Sequence, residues 1–414
     1  MNQAVRDQLE MIRIGTEEII PEDGLIRKLE RSLASGKPLR VKMGFDPSAP
    51  DIHLGHAVGL RKLRTFQDLG HHVVLIVGDY TGMVGDPSGR NSTRPRLLHE
   101  QVEANARTYL RQLFKVVDES RAEVRWNSEW FSRMSFMEVM GLAGRVTVAR
   151  MLERDDFEKR YRGGQPISLH EFFYPLMQGF DSVAIQSDVE VGGTDQKFNL
   201  LMGRDLQEFH GMEPQVALTV PILEGTDGVQ RMSKSLGNYI GIDEPARDMF
   251  GKVMSIPDAV MEHWYALTTD AAPVELREIH EKLAGQAGNP RDLKVQLAKR
   301  IVGLYHSAEA AGEAEAEFNR IFREGGAPDE IPEFDLIAED GGIPLVRILT
   351  ETGLVKSRGD ARRMVRQNAV RIDGERVEDE ESVLTVRREA YLVQVGKRAW
   401  ARVRVRALAK AGSS

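Results

Sequence analysis

Near the start of this sequence a strand, a helix and a second strand follow one another with almost no chain between them. LRVKMGF (Leu39 to Phe45) and HHVVLIVG (His71 to Gly78) are short valine-rich runs bounded by glycine or proline, the pattern of strands covered on both faces. Between them, HAVGLRKLRTFQDLG places Val58, Leu60, Leu63, Phe66 and Leu69 at near-helical spacing and closes on Gly70, which predicts a helix over 56–70. Strand, helix, strand with short joints implies a right-handed crossover and a parallel sheet, hence an α/β fold. Ligands of open α/β sheets bind beyond the carboxyl ends of the strands. The joint GFDPSAPDIHLGH (Gly44 to His56) is therefore where chemistry is expected.

Composition narrows the classes further. With 414 residues, two or three domains are expected at roughly 150 residues each. Hydrophobic residues make up 41% and charged residues 29%, and no apolar run approaches the ~18 residues of a membrane helix. The opening MNQAVRDQLEMIRIG lacks the basic cluster, apolar stretch and cleavage site of a secretory signal, so a cytoplasmic, membrane-free protein is expected. The absence of cysteine excludes disulfides, a thiolate nucleophile and cysteine-ligated zinc. The ten histidines show no HExxH-like spacing, so no protein-held metal is expected. From Ile343 to the end there are 16 Lys and Arg against 9 Asp and Glu, whereas the whole chain has 56 against 63. That basic end points to a nucleic-acid partner.

Along the chain, a largely helical insert is expected from Leu97 to Ile185, and Val216 to Gly225 reads as a returning strand. Helices then run from Asp243 to Glu324, with Asn289-Pro290 as cap and first-turn proline. GGAPDEIPEFDLIAEDGG (325–342) reads as a linker, and the tail AKAGSS as disordered.

Five segments carry polar chemistry. His53 and His56 in HLGH share a helix face at the helix start, where backbone N–H groups and the dipole favour an anion, and Gly55 between them admits a flat base or phosphate. A surface turn accounts for HxGH alone about as well. GDYTGMVGDPSG (Gly78 to Gly89) follows a strand, and Asp86 in it suits an ammonium. Tyr174, Gln178 and Asp181 stand at i, i+4 and i+7, a polar stripe that other side chains or a polar ligand must satisfy. In GGTDQKFN (Gly192 to Asn199), Asp195 suits a ribose and Gln196 a hydroxyl or amide; a plain turn does as well. RMSKS (Arg231 to Ser235) reads as a clamp for a polyphosphate or as solvated surface.

The order changes this reading. HLGH, GDPSG, the polar-faced helix, GGTDQ and RMSKS occur in succession over about 180 residues, and that order resembles the class I aminoacyl-tRNA synthetases, specifically the bacterial tyrosyl-tRNA synthetases. The resemblance covers nearly the whole chain and implies tyrosine–tRNA ligation. Its implied architecture is a Rossmann-like catalytic domain at 1–242 with a helical insert (about 95–190). An α-helical tRNA-anticodon domain at 243–324 follows, then the linker, an S4-like RNA-binding domain at 343–408 and a tail at 409–414.

The resemblance also implies residue roles. His53 and His56 stabilise the ATP phosphates, and Gly55 faces the adenine. Lys234 grips pyrophosphate with Arg231 and Ser233; Asp195 and Gly193 hold the ribose. Tyr174, Gln178 and Asp86 bind the substrate ammonium, Asp181 the phenol hydroxyl, and Gln196 lies near the carboxylate, with Gly44 in the tyrosine pocket. Lys42 stands where many members carry a tyrosine that also touches the hydroxyl, which leaves the second hydroxyl partner unassigned. Arg358, Arg362, Arg363 and Arg366 are implied to meet RNA phosphates. Magnesium arrives with ATP, no tightly bound cofactor is implied, and the insert is the implied homodimer interface. The rivals are the tryptophanyl sister enzyme, disfavoured by Asp181, and an RNA-binding regulator that has kept the fold without catalysis, disfavoured by the intact motifs.

Overall fold

The computed structural model describes residues 2–47, 52–86, 99–285, 289–322, 331–338, 341–396 and 399–407. Residue contacts divide the chain into two units, Met1–Ala311 and Gly312–Ser414.

The first unit is built on six strands: β1 (Glu18–Ile20), β2 (Arg40–Phe45), β3 (His72–Val77), β4 (Ala122–Trp126), β5 (Val189–Gly193) and β6 (Val216–Val220). Their spatial order is β1-β6-β5-β2-β3-β4. All neighbours are parallel except the short antiparallel edge strand β1. The chain leaves β2 toward β3 and β4, then returns to the other side of β2 for β5 and β6. The sheet thus has its switch point between β2 and β5, and a crevice opens beyond their carboxyl ends.

Helix α1 (Leu54–Asp68) makes the expected crossover, starting two residues before the predicted position. His53 has extended backbone (φ −119°, ψ 170°) and serves as N-cap, so the helix begins inside HLGH, at the crevice. Helices α2 (Phe173–Ile185) and α3 (Lys197–Phe209) pack closely on one another. A Cβ on Gly179 would lie 3.1 Å from the backbone of Met202 and Gly203, so glycine permits their approach.

The expected helical insert is not helical throughout. AEVRW (Ala122–Trp126) forms β4 and pairs with β3; at the sheet edge only one neighbour covers it, so charged residues interrupt the apolar signal. The strand predicted at 216–225 ends at Val220, before Pro221, which lacks an N–H for the ladder. Asn289 caps its helix as predicted, its side-chain oxygen accepting from the Arg291 N–H at 3.0 Å.

In the second unit, Glu333–Ala338 is a strand parallel to Ala399–Ala407, within the segment expected to be a linker. Its alternation turns Phe334, Leu336 and Ala338 toward the core, while Glu333 and Asp335 pair with Arg402 and Arg406 at 3.2 and 3.0 Å. The acidic residues that suggested a linker are the outer face of a strand. Asp373 and Gly374 both have positive φ, 49° and 91°, and close the hairpin between Val370–Ile372 and Glu375–Arg376 as a type I′ turn requires. The expected tail lies outside the described residues, as does part of the linker.

Candidate active site

A cavity of 490 Å³ lies at the switch point. It is bordered by Gly44, His53, His56, Asp86, Tyr174, Gln178, Asp181, Gly193, Gln196, Ser233 and Lys234, so eleven of the residues singled out in the sequence meet around one space. Asp195 borders a neighbouring 480 Å³ cavity with Arg154 and Lys197. Gly55 and Arg231 border neither. A Cβ on Gly55 would lie 3.0 Å from the His53 ring, so glycine there makes room for that imidazole.

The two imidazoles stack, centroids 3.8 Å apart and planes at 24°. The His53 N–H donates to His56 Nδ1 at 3.4 Å, which leaves the neutral His56 ring its proton on Nε2. Both rings are held neutral. Burial is the first cause, joined for His53 by His56 and for both by Lys234, and it pushes His56 down to about 4 although the residue as a whole keeps exposed surface. His53 Nδ1 is buried and has no protein partner. This is a donor wall poised for an anion whose arrival would favour protonation.

The segment that follows RMSKS is tied to this wall through the backbone. The Leu54 N–H donates to the Ile240 carbonyl at 2.9 Å and the Ile242 N–H to the Ile52 carbonyl at 3.1 Å. Asn238, which sequence reasoning missed, braces the loop: its Oδ1 accepts from the Ser233 N–H at 2.8 Å, and its Nδ2 donates to Asp227 at 2.6 Å.

The opposite wall is acidic and amide-lined. Tyr174 donates its hydroxyl to Asp46 at 2.9 Å, and the Asp46 carboxylate also accepts from Thr81 at 2.8 Å. Asp46 was missed, although it lies within the first motif stretch. Gln196 and Arg154 donate to Asp86 at 3.0 and 3.2 Å. Asp181 is 3% exposed and accepts from Trp130 Nε1 at 2.9 Å. Burial pushes its carboxyl up to about 7 against the opposing charge of Lys42. Asp195 is likewise raised by burial and by Asp86. A Cβ on Gly193 would fall 2.5 Å from the Asp195 carboxylate, so only glycine lets that group fold back over the strand end. Lys42, expected near the phenol position, does not border the cavity; it is wholly buried in an ion pair with Glu190 at 3.0 Å. Met43 does border the cavity, and its thioether fills the space left by Gly59 on α1.

One cavity thus brings imidazoles and a lysine together with carboxylates and amides. It can hold an anionic group against a molecule bearing an ammonium and a hydroxyl. Residues 34–323 match the family model for class I tRNA synthetases (W and Y), and residues 324–402 that for the tyrosine–tRNA ligase SYY-like C-terminal domain. The tyrosine–tRNA ligase of Moorella thermoacetica is 54% identical over 403 residues, covering 97% of each chain.

The chain belongs to the tyrosine–tRNA ligases.

Another member, tyrosine–tRNA ligase 2 of Vibrio cholerae, is 51% identical over 97% of this chain and 100% of its own. Among solved structures, the Archaeoglobus fulgidus tyrosyl-tRNA synthetase complexed with L-tyrosine superposes with a TM-score of 0.62 at 25% identity, covering 75% of this chain and 99% of that one. The chain is accordingly an α/β aminoacyl-tRNA synthetase. Among the described residues no helix is long and apolar enough to cross a membrane, and no cluster of three or more His, Asp or Glu could hold a metal ion.

The basic helix Arg358–Arg366 lies in the second unit with its four arginines exposed. Arg363 pairs with Asp360 at 2.7 Å, and Arg366 and Arg362 share Glu380.

Replacing Lys234 by Met should raise the His56 titration midpoint from about 4, because removing a neighbouring cation makes protonation easier. Imidazole NMR shifts against pH measure this; an unmoved midpoint would separate Lys234 from the imidazole wall.

Proposed function

We propose that this cleft joins L-tyrosine to ATP and then passes the tyrosyl group to the 3′ end of tRNA(Tyr). A tyrosine carboxylate oxygen attacks the α-phosphorus, the bond to the pyrophosphate oxygen breaks, and tyrosyl-adenylate and pyrophosphate result. A terminal ribose hydroxyl then attacks the acyl carbon and AMP leaves. The nucleophile is supplied by the substrate, so positioning and charge stabilisation suffice. What carries the reading is the single cavity bordered by His53, His56 and Lys234 together with Tyr174, Gln178 and Asp181.

In this reading His53 and His56 donate to the phosphates, and Lys234, with Arg231 and Ser233, takes the departing pyrophosphate. Magnesium enters with ATP as part of the substrate. Gly55 lies toward the adenine, and Asp195 and Gly193 take the ribose. Tyr174, Gln178 and Asp86 take the ammonium, Gln196 lies near the carboxylate, and Gly44 forms part of the tyrosine pocket. Asp181 accepts from the phenol. A site built to bond a hydroxyl rejects the analogue lacking it, and tyrosine against phenylalanine is the standard illustration of that rule.

We read the surroundings in the same way. The described insert exposes Phe136 and Met137 at 76% each and Leu169 at 75%, an apolar display suited to a second copy of the chain. The exposed arginines of Arg358–Arg366 suit RNA phosphates. The residue ranges 1–242, 243–324 and 343–408 are proposed as the catalytic, anticodon and S4-like domains of a cytoplasmic enzyme.

ATP–pyrophosphate exchange across the twenty amino acids should respond to tyrosine, and Lys234→Ala should lower kcat at least a hundredfold with tyrosine affinity within a few fold; exchange driven by tryptophan, or equal losses in both quantities, would overturn the assignment. Arg362→Ala with Arg363→Ala should cut tRNA charging at least tenfold at constant tyrosine exchange, and charging at the parental rate would remove that helix from the RNA surface. Phe136→Asp with Met137→Asp should yield monomers by sedimentation, whereas an unchanged sedimentation coefficient would place the interface elsewhere.

A further inference from the structure

The sheet carries an ion pair that neither apolar packing nor the cleft accounts for. Lys42 on β2 and Glu190 on β5 are direct neighbours in the parallel register and are both wholly buried, 3.0 Å apart. Neither borders the cavity. A buried pair is a weak source of stability, because the cost of desolvating two charges offsets their attraction. Its presence at the switch point, one residue layer behind the tyrosine-side wall, calls for another explanation.

The hydrogen bonds supply one. Lys42 Nζ donates to the main-chain carbonyl of Gln178 at 2.9 Å and to Ser182 Oγ at 2.8 Å. Glu190 accepts from Gln178 Nε2 at 3.2 Å and from Ser182 Oγ at 2.9 Å, and from Gln215 as well. A carboxylate can only accept, so the Gln178 amide must turn its NH₂ toward Glu190. Its Oε1 then points the other way, where Asn199 Nδ2 donates to it at 2.9 Å, and Asn199 also donates to Gln196 at 2.9 Å. The Gln178 amide, which borders the cavity, is thus held in one orientation from both ends, by Glu190 at its nitrogen and by Asn199 at its oxygen. Asp181 lies one turn further along α2, between the Gln178 carbonyl and the Ser182 hydroxyl that Lys42 bonds; the Lys42 charge favours its anionic form and the Glu190 charge opposes it. The cluster has been given space: a Cβ on Gly203 would fall 2.9 Å from Ser182 Oγ and 3.2 Å from Glu190 Oε2.

We propose that the buried Lys42–Glu190 pair is the positioning device of the amino-acid subsite, fixing the orientation of the Gln178 amide and, through the Lys42 bonds to the Gln178 carbonyl and Ser182, the stretch of α2 that presents Asp181 to the phenol. Both are positioning residues that act through side chains touching the substrate. This resolves the departure at Lys42: the position contributes to hydroxyl recognition by holding α2 in place from behind the wall. The proposal rests on the substrate roles assigned to Gln178 and Asp181 above.

The test is tyrosine-dependent and phenylalanine-dependent pyrophosphate exchange on the full chain carrying Lys42→Met, Glu190→Asp or Lys42→Met with Glu190→Gln. In Lys42→Met and the double variant, the tyrosine KM should rise at least tenfold and the tyrosine-over-phenylalanine ratio of kcat/KM should fall at least tenfold, with the ATP KM within twofold of the parent. Lys42→Met leaves a carboxylate buried alone and can unfold; the double variant is uncharged and of similar shape, and Glu190→Asp keeps both charges while withdrawing the carboxylate from Gln178. Glu190→Asp should raise the tyrosine KM at least threefold with the ATP KM unchanged. A folded double variant, or a folded Glu190→Asp protein, with tyrosine KM and selectivity within twofold of the parent overturns the proposal. A parallel rise in both KM values also overturns it, since that marks general loss of structure. Gln178→Ala and Asp181→Ala separate the two levels of the argument. If these leave tyrosine KM and selectivity unchanged, the subsite assignment itself fails; if they respond while the pair variants do not, only the role of the pair fails.

Discussion

Two parallel strands lie side by side while the chain departs from them in opposite directions, and the architecture of the cleft follows from that reversal. β2 and β5 share only the register Val41↔Val189 and Lys42↔Glu190, and beyond it they part. The space between their carboxyl ends receives the start of α1, the turn after β5 and the loop that follows β6. Segments far apart in sequence converge there because each is the continuation of a neighbouring strand.

The cleft so formed separates charge. Its histidine wall favours neutral rings, because burial and the nearby lysine oppose protonation. The facing wall keeps its carboxylates engaged, with Asp46 bonded to Tyr174 and Thr81, and Asp86 to Gln196 and Arg154. Binding therefore exchanges one set of hydrogen bonds for another, with little polar surface left to reorganise at the moment of reaction.

Much of this was legible in the residues. The apolar runs of β2 and β3 and the helical spacing of α1 announce themselves because sheet burial and helix burial impose different periods. The motifs could be gathered into one site because their order matched a family pattern. What escaped notice did so for physical reasons. β4 is an edge strand, and its glutamate and arginine break the apolar run. β5 reads VEVGG, and its buried glutamate makes sense only beside a lysine some 150 residues earlier. Asp46, Arg154 and Asn199 reach Tyr174, Asp86 and Gln178 on distant segments, so no local signal marks those contacts. The strand Glu333–Ala338 was hidden by its own solvent face.

The sulfur chemistry of the cleft has a consequence of its own. With no thiol in the chain, peroxide has no cysteine to attack, and among the described residues bordering the cavity the sulfur it meets is the thioether of Met43. That side chain is seated against Gly59, where a Cβ would come within 2.7 Å of its terminal methyl. A sulfoxide oxygen would enlarge and polarise a group already fitted to its recess. Oxidative damage here would be felt as a misfit at the start of the helix that carries the paired imidazoles, and methionine sulfoxide reductase chemistry, rather than thiol exchange, would reverse it.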